Sequence, residues 1–159
     1  MSEFRPIEGN FNPRGANFAI VVARWNGEIT ESLLDGALRA FTRQGVDQDR
    51  IQVVRVPGAF ELPLAAKKLA ESGGVDAVVA LGCVIRGGTP HFEYVCSECA
   101  RGIGQAGLDT GVPIAFGVLT TDDLRQARDR SGANEENKGE EAALTALEMV
   151  SLFQQLAAH

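Results

Sequence analysis

The stretch Asp76-Ala-Val-Val-Ala-Leu-Gly-Cys-Val-Ile-Arg-Gly-Gly-Thr-Pro-His91 decides the fold. Its opening, Asp76 to Leu81, is a short apolar run of the kind buried on both faces of a sheet. A glycine-containing loop follows. Thr89-Pro90 then starts a helix, with a hydroxyl cap before a proline at the first helical position. That helix is expected to reach about Ala106.

The flanking sequence repeats the alternation. Phe18-Ala-Ile-Val-Val-Ala23 reads as a strand, and Glu28 to Gln44 as an amphipathic helix. Leu33, Leu34, Ala37, Leu38 and Phe41 share one face of that helix, and Gly45 stops it. Ile51 to Val56 is a strand closed by Pro57-Gly58, and the next helix runs to about Ser72. Val112 to Leu119 is the last strand. Helices over roughly Asp122 to Arg130 and Lys138 to Ala158 follow, separated by Ser131-Gly-Ala-Asn134. This order predicts an α/β fold, a flavodoxin-like three-layer α/β/α sandwich with a four-stranded parallel sheet. Residues 1–17 lack periodicity and read as an N-terminal arm; residues 18–159 read as a single domain.

Composition narrows the function classes. The chain has 159 residues, about one domain, with 45% hydrophobic and 23% charged residues, which excludes disorder as the main state. Fifteen basic against 21 acidic residues give a net charge of −6, the wrong sign for a nucleic-acid binder. No apolar run is long enough for a membrane span, and Met1 to Pro6 does not resemble a secretory signal. Three cysteines, Cys83, Cys96 and Cys99, suit free thiols in a reducing cytoplasm.

Ligands of such sheets bind beyond the carboxyl ends of the strands. Arg24-Trp25-Asn26 follows the first strand, Pro57-Gly-Ala-Phe-Glu61 the second, and the glycine loop with His91 the third; Phe116 lies on the fourth. Gly87-Gly88-Thr89 fits an anion cradle at a helix start, and equally an ordinary turn. His91 fits a proton carrier in the first helical turn, or a surface histidine. Trp25, Phe60 and Phe116 fit stacking platforms for a planar ring, or packing residues. Two apparent motifs fail. Cys96-Ser-Glu-Cys99 falls on a stripe with Phe92 and Ile103 that reads as core-facing, and no set of four metal ligands has suitable spacing. Gly102-Ile-Gly-Gln-Ala-Gly107 does not follow a strand, so its dinucleotide-like lettering carries no meaning.

Four strings have a further significance: Val56-Pro-Gly-Ala-Phe-Glu-Leu-Pro63, Ala80 to Val95, Phe116-Gly-Val-Leu-Thr-Thr121 and Asn137-Lys-Gly139. In this order they strongly resemble the 6,7-dimethyl-8-ribityllumazine synthase family, over about Ile7 to the C-terminus. The resemblance implies condensation of 5-amino-6-(D-ribitylamino)uracil with 3,4-dihydroxy-2-butanone 4-phosphate, the penultimate step of riboflavin biosynthesis, with no metal and no cofactor. It implies that Trp25 stacks on the pyrimidine, and that Asn26, Ala59, Phe60 and Glu61 bind the ring and ribityl chain. It further implies that the backbone of Cys83, Val84 and Ile85 reads the pyrimidine edge. Gly88, Thr89 and Arg130 match the phosphate site, and His91 the proton-transfer residue. Phe116 matches an aromatic from a neighbouring subunit that closes the pocket. Lys138 and Glu141 match a polar pair near the site, with an acid such as Glu141 orienting His91. Trp25 stands where phenylalanine is common in the family.

The partners so implied are the two small-molecule substrates, further copies of the chain and riboflavin synthase, with no nucleic acid and no membrane. The family's pentamer builds active sites between subunits, and the short Arg130-to-Asn137 connection is typical of members that form 60-subunit icosahedral shells. Independent of that resemblance, a four-stranded sheet leaves edges to cover. The arm, with Phe4, Ile7 and Phe11, is expected to add to a neighbour's edge. The last helix carries Ala143, Leu147, Val150 and Phe153 on one face, flanked by Leu144, Leu152 and Leu156, more apolar surface than one sheet face needs. The alternative is a non-catalytic flavin- or lumazine-binding protein, or a shell-forming protein, on the same scaffold.

Overall fold

In a computed structural model the chain is described over residues 3–133 and 136–159. Met1-Ser2 of the expected arm and Asn134-Glu135 of the expected short connection lie outside the described residues. The elements are β1 (Phe18–Ala23), α1 (Gly27–Arg43), β2 (Ile51–Val56), α2 (Leu62–Glu71), β3 (Ala77–Ile85), α3 (His91–Thr110), β4 (Ile114–Thr121), α4 (Leu124–Asp129) and α5 (Lys138–Ala158). One all-parallel sheet has the strand order β2-β1-β3-β4. Among the described residues no helix is long and apolar enough to cross a membrane.

The two-residue period of the central strands divides the core. Phe18, Ile20, Val22, Val79 and Leu81 pack under α1 and α5. Ala19, Val21, Ala23, Val78 and Ala80 pack under α2 and α3. Both faces are therefore covered, which is why β1 and β3 read as unbroken apolar runs. β2 is the outer strand on one side, and its Val53 is 37% exposed. β4 is the outer strand on the other.

β3 is longer than its apolar run predicts. It continues through Gly82 to Ile85, and the loop shrinks to Arg86 to Pro90. Gly82 is a strand residue because α2 comes close: a Cβ there would lie 2.9 Å from Leu62 Cδ1. β4 starts at Ile114, after Pro113, and runs two residues beyond the expected end. α3 starts at His91 with Pro90 as its cap residue and extends to Thr110, where Gly111 takes a left-handed conformation (φ 70°). α4 is shorter than expected.

The expected cysteine stripe on α3 divides. Phe92, Cys99 and Ile103 are buried, while Cys96 is half-buried. At about 100° per residue, Cys96 lies at the rim of the arc that Phe92, Cys99, Ile103 and Ala106 define. On α5, Ala143, Leu147 and Val150 are buried, whereas Phe153 and Leu156 remain exposed.

α1 and α5 cross at two glycines. A Cβ on Gly139 would sit 2.0 Å from the Leu33 carbonyl oxygen, and one on Gly36 would sit 2.1 Å from Asn137 Oδ1. Asn137 caps α5 by accepting from Glu140 N at 3.0 Å. Its Nδ2 donates to the carbonyls of Ser131 (2.8 Å), Gly132 (3.0 Å) and Ser32 on α1 (3.2 Å). Asn137→Asp keeps the shape but removes these donors, and should destabilise the fold by about 2 kcal/mol or more in chemical denaturation. Gly139→Ala should cost about 1–3 kcal/mol by overpacking, read in the same experiment.

Candidate functional site

The strand order reverses between β1 and β3, so a crevice opens beyond their carboxyl ends. β1 pairs with β3 only as far as Val22 and Leu81, while β3 continues to Ile85 alongside β4. Gly82 to Ile85 therefore present one backbone edge with no strand beside it. Asn26 occupies the start of that edge, donating from Nδ2 to the Cys83 carbonyl at 2.8 Å. Asn26 also caps α1 in the left-handed region (φ 60°), which asparagine tolerates better than most residues.

A cleft of about 590 Å³ lies here. Trp25, Asn26, Ala59, Phe60, Glu61, Cys83, Val84, Ile85 and His91 all line it. Trp25 is 64% exposed and lies on Gly58, where a Cβ would come within 2.3 Å of the indole. Phe60 is 57% exposed. Glu61 closes its own turn, its Oε1 accepting from Gly58 N at 2.9 Å. Two aromatic faces, a backbone edge and a histidine thus surround a space suited to a flat, polar-edged ring.

Tyr94, Val95 and Glu98, which the motifs of the sequence do not point to, line the same cleft. The signal was present: His91, Tyr94, Val95 and Glu98 follow i, i+3, i+4, i+7 spacing on α3, next to the core stripe. Beside this cleft, and sharing Tyr94 with it, is a surface formed by Arg86 to Pro90, Glu93 and Ser97. Gly88 and Thr89 are exposed there.

The remaining candidates lie elsewhere. Phe116, Arg130, Lys138 and Glu141 line a second cleft of about 550 Å³, at the β4 edge beside α4 and α5. None of its lining residues belongs to the first cleft. Phe116 is 47% exposed on the outer strand. Arg130 Nη1 donates to the Gln126 carbonyl at 2.9 Å, and the Arg130 carbonyl accepts from Lys138 N at 2.9 Å. Glu141 pairs with Lys138 Nζ at 3.0 Å, so within one chain it is away from His91. The folded chain therefore gathers nine candidates in one cleft, Gly88 and Thr89 beside it, and four at the opposite margin of β3–β4.

The three thiols differ in reactivity. Burial pushes Cys83 up to about 11 and Cys99 to about 12. Cys96 is raised too, by partial burial and then by Glu93, but it is the least enclosed. The Cys83 side chain points into the core under α1 and α5, so only its backbone faces the cleft.

Comparison with known proteins adds to this geometry. A family model described as 6,7-dimethyl-8-ribityllumazine synthase matches residues 15–154. A protein of Syntrophus aciditrophicus (strain SB) bearing that same name is 59% identical over 149 residues, covering 94% of this chain and 97% of the relative.

The thiol environments give a direct test. With an aromatic disulfide reagent near pH 8, Cys96 should react first and more slowly than a free thiol. Cys83 and Cys99 should react only on unfolding, followed as thiolate release.

Proposed function

The chain belongs to the 6,7-dimethyl-8-ribityllumazine synthase family, and on that premise we propose how its separate clefts make one site. The reaction joins 5-amino-6-(D-ribitylamino)uracil to 3,4-dihydroxy-2-butanone 4-phosphate. It gives 6,7-dimethyl-8-ribityllumazine, inorganic phosphate and water, in the penultimate step of riboflavin biosynthesis.

The observation that carries the proposal is the division of the candidate residues. His91 and the Gly88-Thr89 turn belong to one end of the molecule, and Arg130 with Phe116 to another. A second copy presenting its β4 margin to the first cleft supplies the missing set. Trp25 and Phe60 then hold the pyrimidine from one subunit, and the neighbour's Phe116 closes over it. The free backbone edge of Cys83, Val84 and Ile85 reads the ring, and Asn26, Ala59 and Glu61 border the ribityl chain. Gly88 and Thr89 offer backbone and hydroxyl donors to the phosphate. The neighbour's Arg130 adds a planar, two-pronged cation that lysine would not reproduce.

The chemistry asks mainly for proximity and proton movement. The 5-amino group attacks the ketone and one water leaves as the imine forms. Phosphate is then eliminated, and the ribitylamino nitrogen closes the ring on the carbonyl so produced, with loss of a second water. His91 Nδ1 or Nε2 takes the proton released by the attacking amine and returns it to a departing oxygen. Holding two substrates in register supplies much of the remaining rate. In that arrangement the neighbour's Lys138–Glu141 pair is available to orient His91 or the substrate. Nothing observed favours the non-catalytic reading, since the proton carrier and the phosphate cation are both present.

We place the pentamer as the minimum functional unit, with a 60-subunit shell built from it, and the protein in the cytoplasm with riboflavin synthase as an associate. The exposed apolar side chains support association: Leu64 on α2 and Leu108 on α3 are 68% and 83% exposed, and Phe153 and Leu156 lie bare on α5. The outer strands β2 and β4 support it as well, since both leave backbone groups to be covered. Three free cysteines fit a reducing compartment.

Purified protein should accelerate lumazine formation above the spontaneous reaction, followed by absorbance. His91→Ala should mainly lower kcat. Arg130→Ala should raise KM for the phosphate substrate by about 10- to 150-fold, from loss of a charge-assisted contact of about 1.5–3 kcal/mol. Refolding the two impaired variants together at equal amounts should regenerate about a quarter of the sites as wild type, because half-sites then recombine at random around a ring. No recovery in the mixture, with sedimentation showing mixed oligomers, would place each site within one subunit.

A further inference from the structure

We propose that Arg86 is a positioning residue for the phosphate turn, fixing Gly87-Gly88-Thr89 from both ends without contacting the phosphate itself. The inference rests on the phosphate assignment of Gly88 and Thr89 made above. The turn has little to hold it in shape. Neither Gly87 nor Gly88 has an atom within 4 Å of where a Cβ would be, and Thr89 Oγ1 accepts from His91 N only at 3.5 Å. Two adjacent glycines leave such a segment free to adopt many shapes, so its ends must define it.

Arg86 holds both ends. Its backbone N donates to the Thr121 carbonyl at 2.8 Å, extending the β3–β4 ladder by one bond. Its Nε donates to Asp122 Oδ1 at 2.9 Å, just past β4. Its Nη1 donates to Glu93 Oε1 in the first turn of α3. The guanidinium also lies 4.4 Å from the ring centroid of Phe92, which is itself buried. One side chain thus ties the residue before the turn to the helix after it and to the end of the neighbouring strand. Asp122 N in turn donates to Gln126 Oε1 at 2.8 Å, and Gln126 is the residue whose carbonyl holds Arg130.

Charge argues against a direct role on the anion. Arg86 is committed to two carboxylates, and the three groups together carry −1. The guanidinium holds Glu93 below the usual carboxylate range, while Asp122 and then Glu93 push Arg86 up. All three side chains are about half exposed, so the network adds little to global stability. Its effect is on where the turn sits.

This makes opposite predictions from simple electrostatics. Asp122→Asn and Glu93→Gln each remove a negative charge near the phosphate. If charge alone mattered, both variants would bind anions more tightly. Positioning requires the reverse: weaker inhibition by inorganic phosphate and a higher KM for the phosphate substrate, each by about two- to fivefold, the range open to one exposed ion pair. KM for the pyrimidine and the thermal midpoint should not change. Arg86→Met should show a larger effect than either, and Arg86→Lys should not rescue it, since an ammonium cannot span two carboxylates and stack on Phe92.

Assays use the assembled enzyme, with Thr89→Val and Arg130→Ala as controls. Unchanged or tighter phosphate inhibition in both carboxylate variants, or full function in Arg86→Lys, overturns the positioning role. If Thr89→Val and Arg130→Ala also leave phosphate inhibition unchanged, the phosphate assignment itself fails and the inference falls with it. One carboxylate lies on α3 and the other in the turn after β4, so a folding defect in one variant leaves the other to decide.

Discussion

The buried amide of Asn137 is the constraint on which most of this molecule depends. It is 2% exposed, and it meets three carbonyls and one backbone N–H. No other uncharged side chain offers two donors and an acceptor on so short a stem. Through it the entry to α5, the exit from α4 and the middle of α1 are brought to one point. The glycines at 36 and 139 follow from the same contact, because a Cβ at either place would fall on an atom already there. Lys138 and Glu141 then take their direction from the first turn of α5, and Arg130 from the link into it.

A parallel sheet with a β2-β1-β3-β4 order has a single reversal, and that reversal coincides with the first cleft. The strands differ in length there for a reason: β1 ends at Ala23 while β3 runs on to Ile85. The unpaired backbone edge that results is a hydrogen-bonding surface independent of side-chain identity, which explains how Cys83 can border a ligand site with its thiol buried in the core. The outer strand β4 carries the complementary features. An exposed Phe116 and an arginine beside a bare strand edge are poor choices for a monomer surface, and sensible ones for a surface that meets another copy.

Much of this was readable in the sequence. β2 and α5 fall on the residues their patterns predict, because Pro57-Gly58 ends one and Asn137 starts the other. The sequence pattern predicts a shorter β3 because Gly82 looks like a breaker; the approach of Leu62 accounts for a glycine inside that strand. Spacing alone puts Cys96 in the core because a stripe drawn by spacing has no width, whereas a buried arc does. The first-cleft residues came out together since they sit at strand ends, which topology brings to one rim. Tyr94, Val95 and Glu98 are hard to pick out by pattern because they lie on α3 beside its apolar stripe, where polar and apolar residues mix. The separation of Glu141 from His91 could not be read from one chain's letters, as it depends on which side of β4 the last helix packs.

The pairing of α1 with α5 also shapes how the chain acquires its structure. Ser32 and Asn137 are 105 residues apart, so the Asn137 latch is a long-range contact. At ordinary rates of synthesis, about 5–20 s separate the emergence of these two positions. During that interval α1 stands without the helix that covers it, with Leu33 and Ala37 lacking their α5 partners. A fold whose closing contact is so non-local is slow to complete. Such a chain shows the apolar face of α1 until α5 has been made, and the contacts around Asn137 are among those that end its exposure.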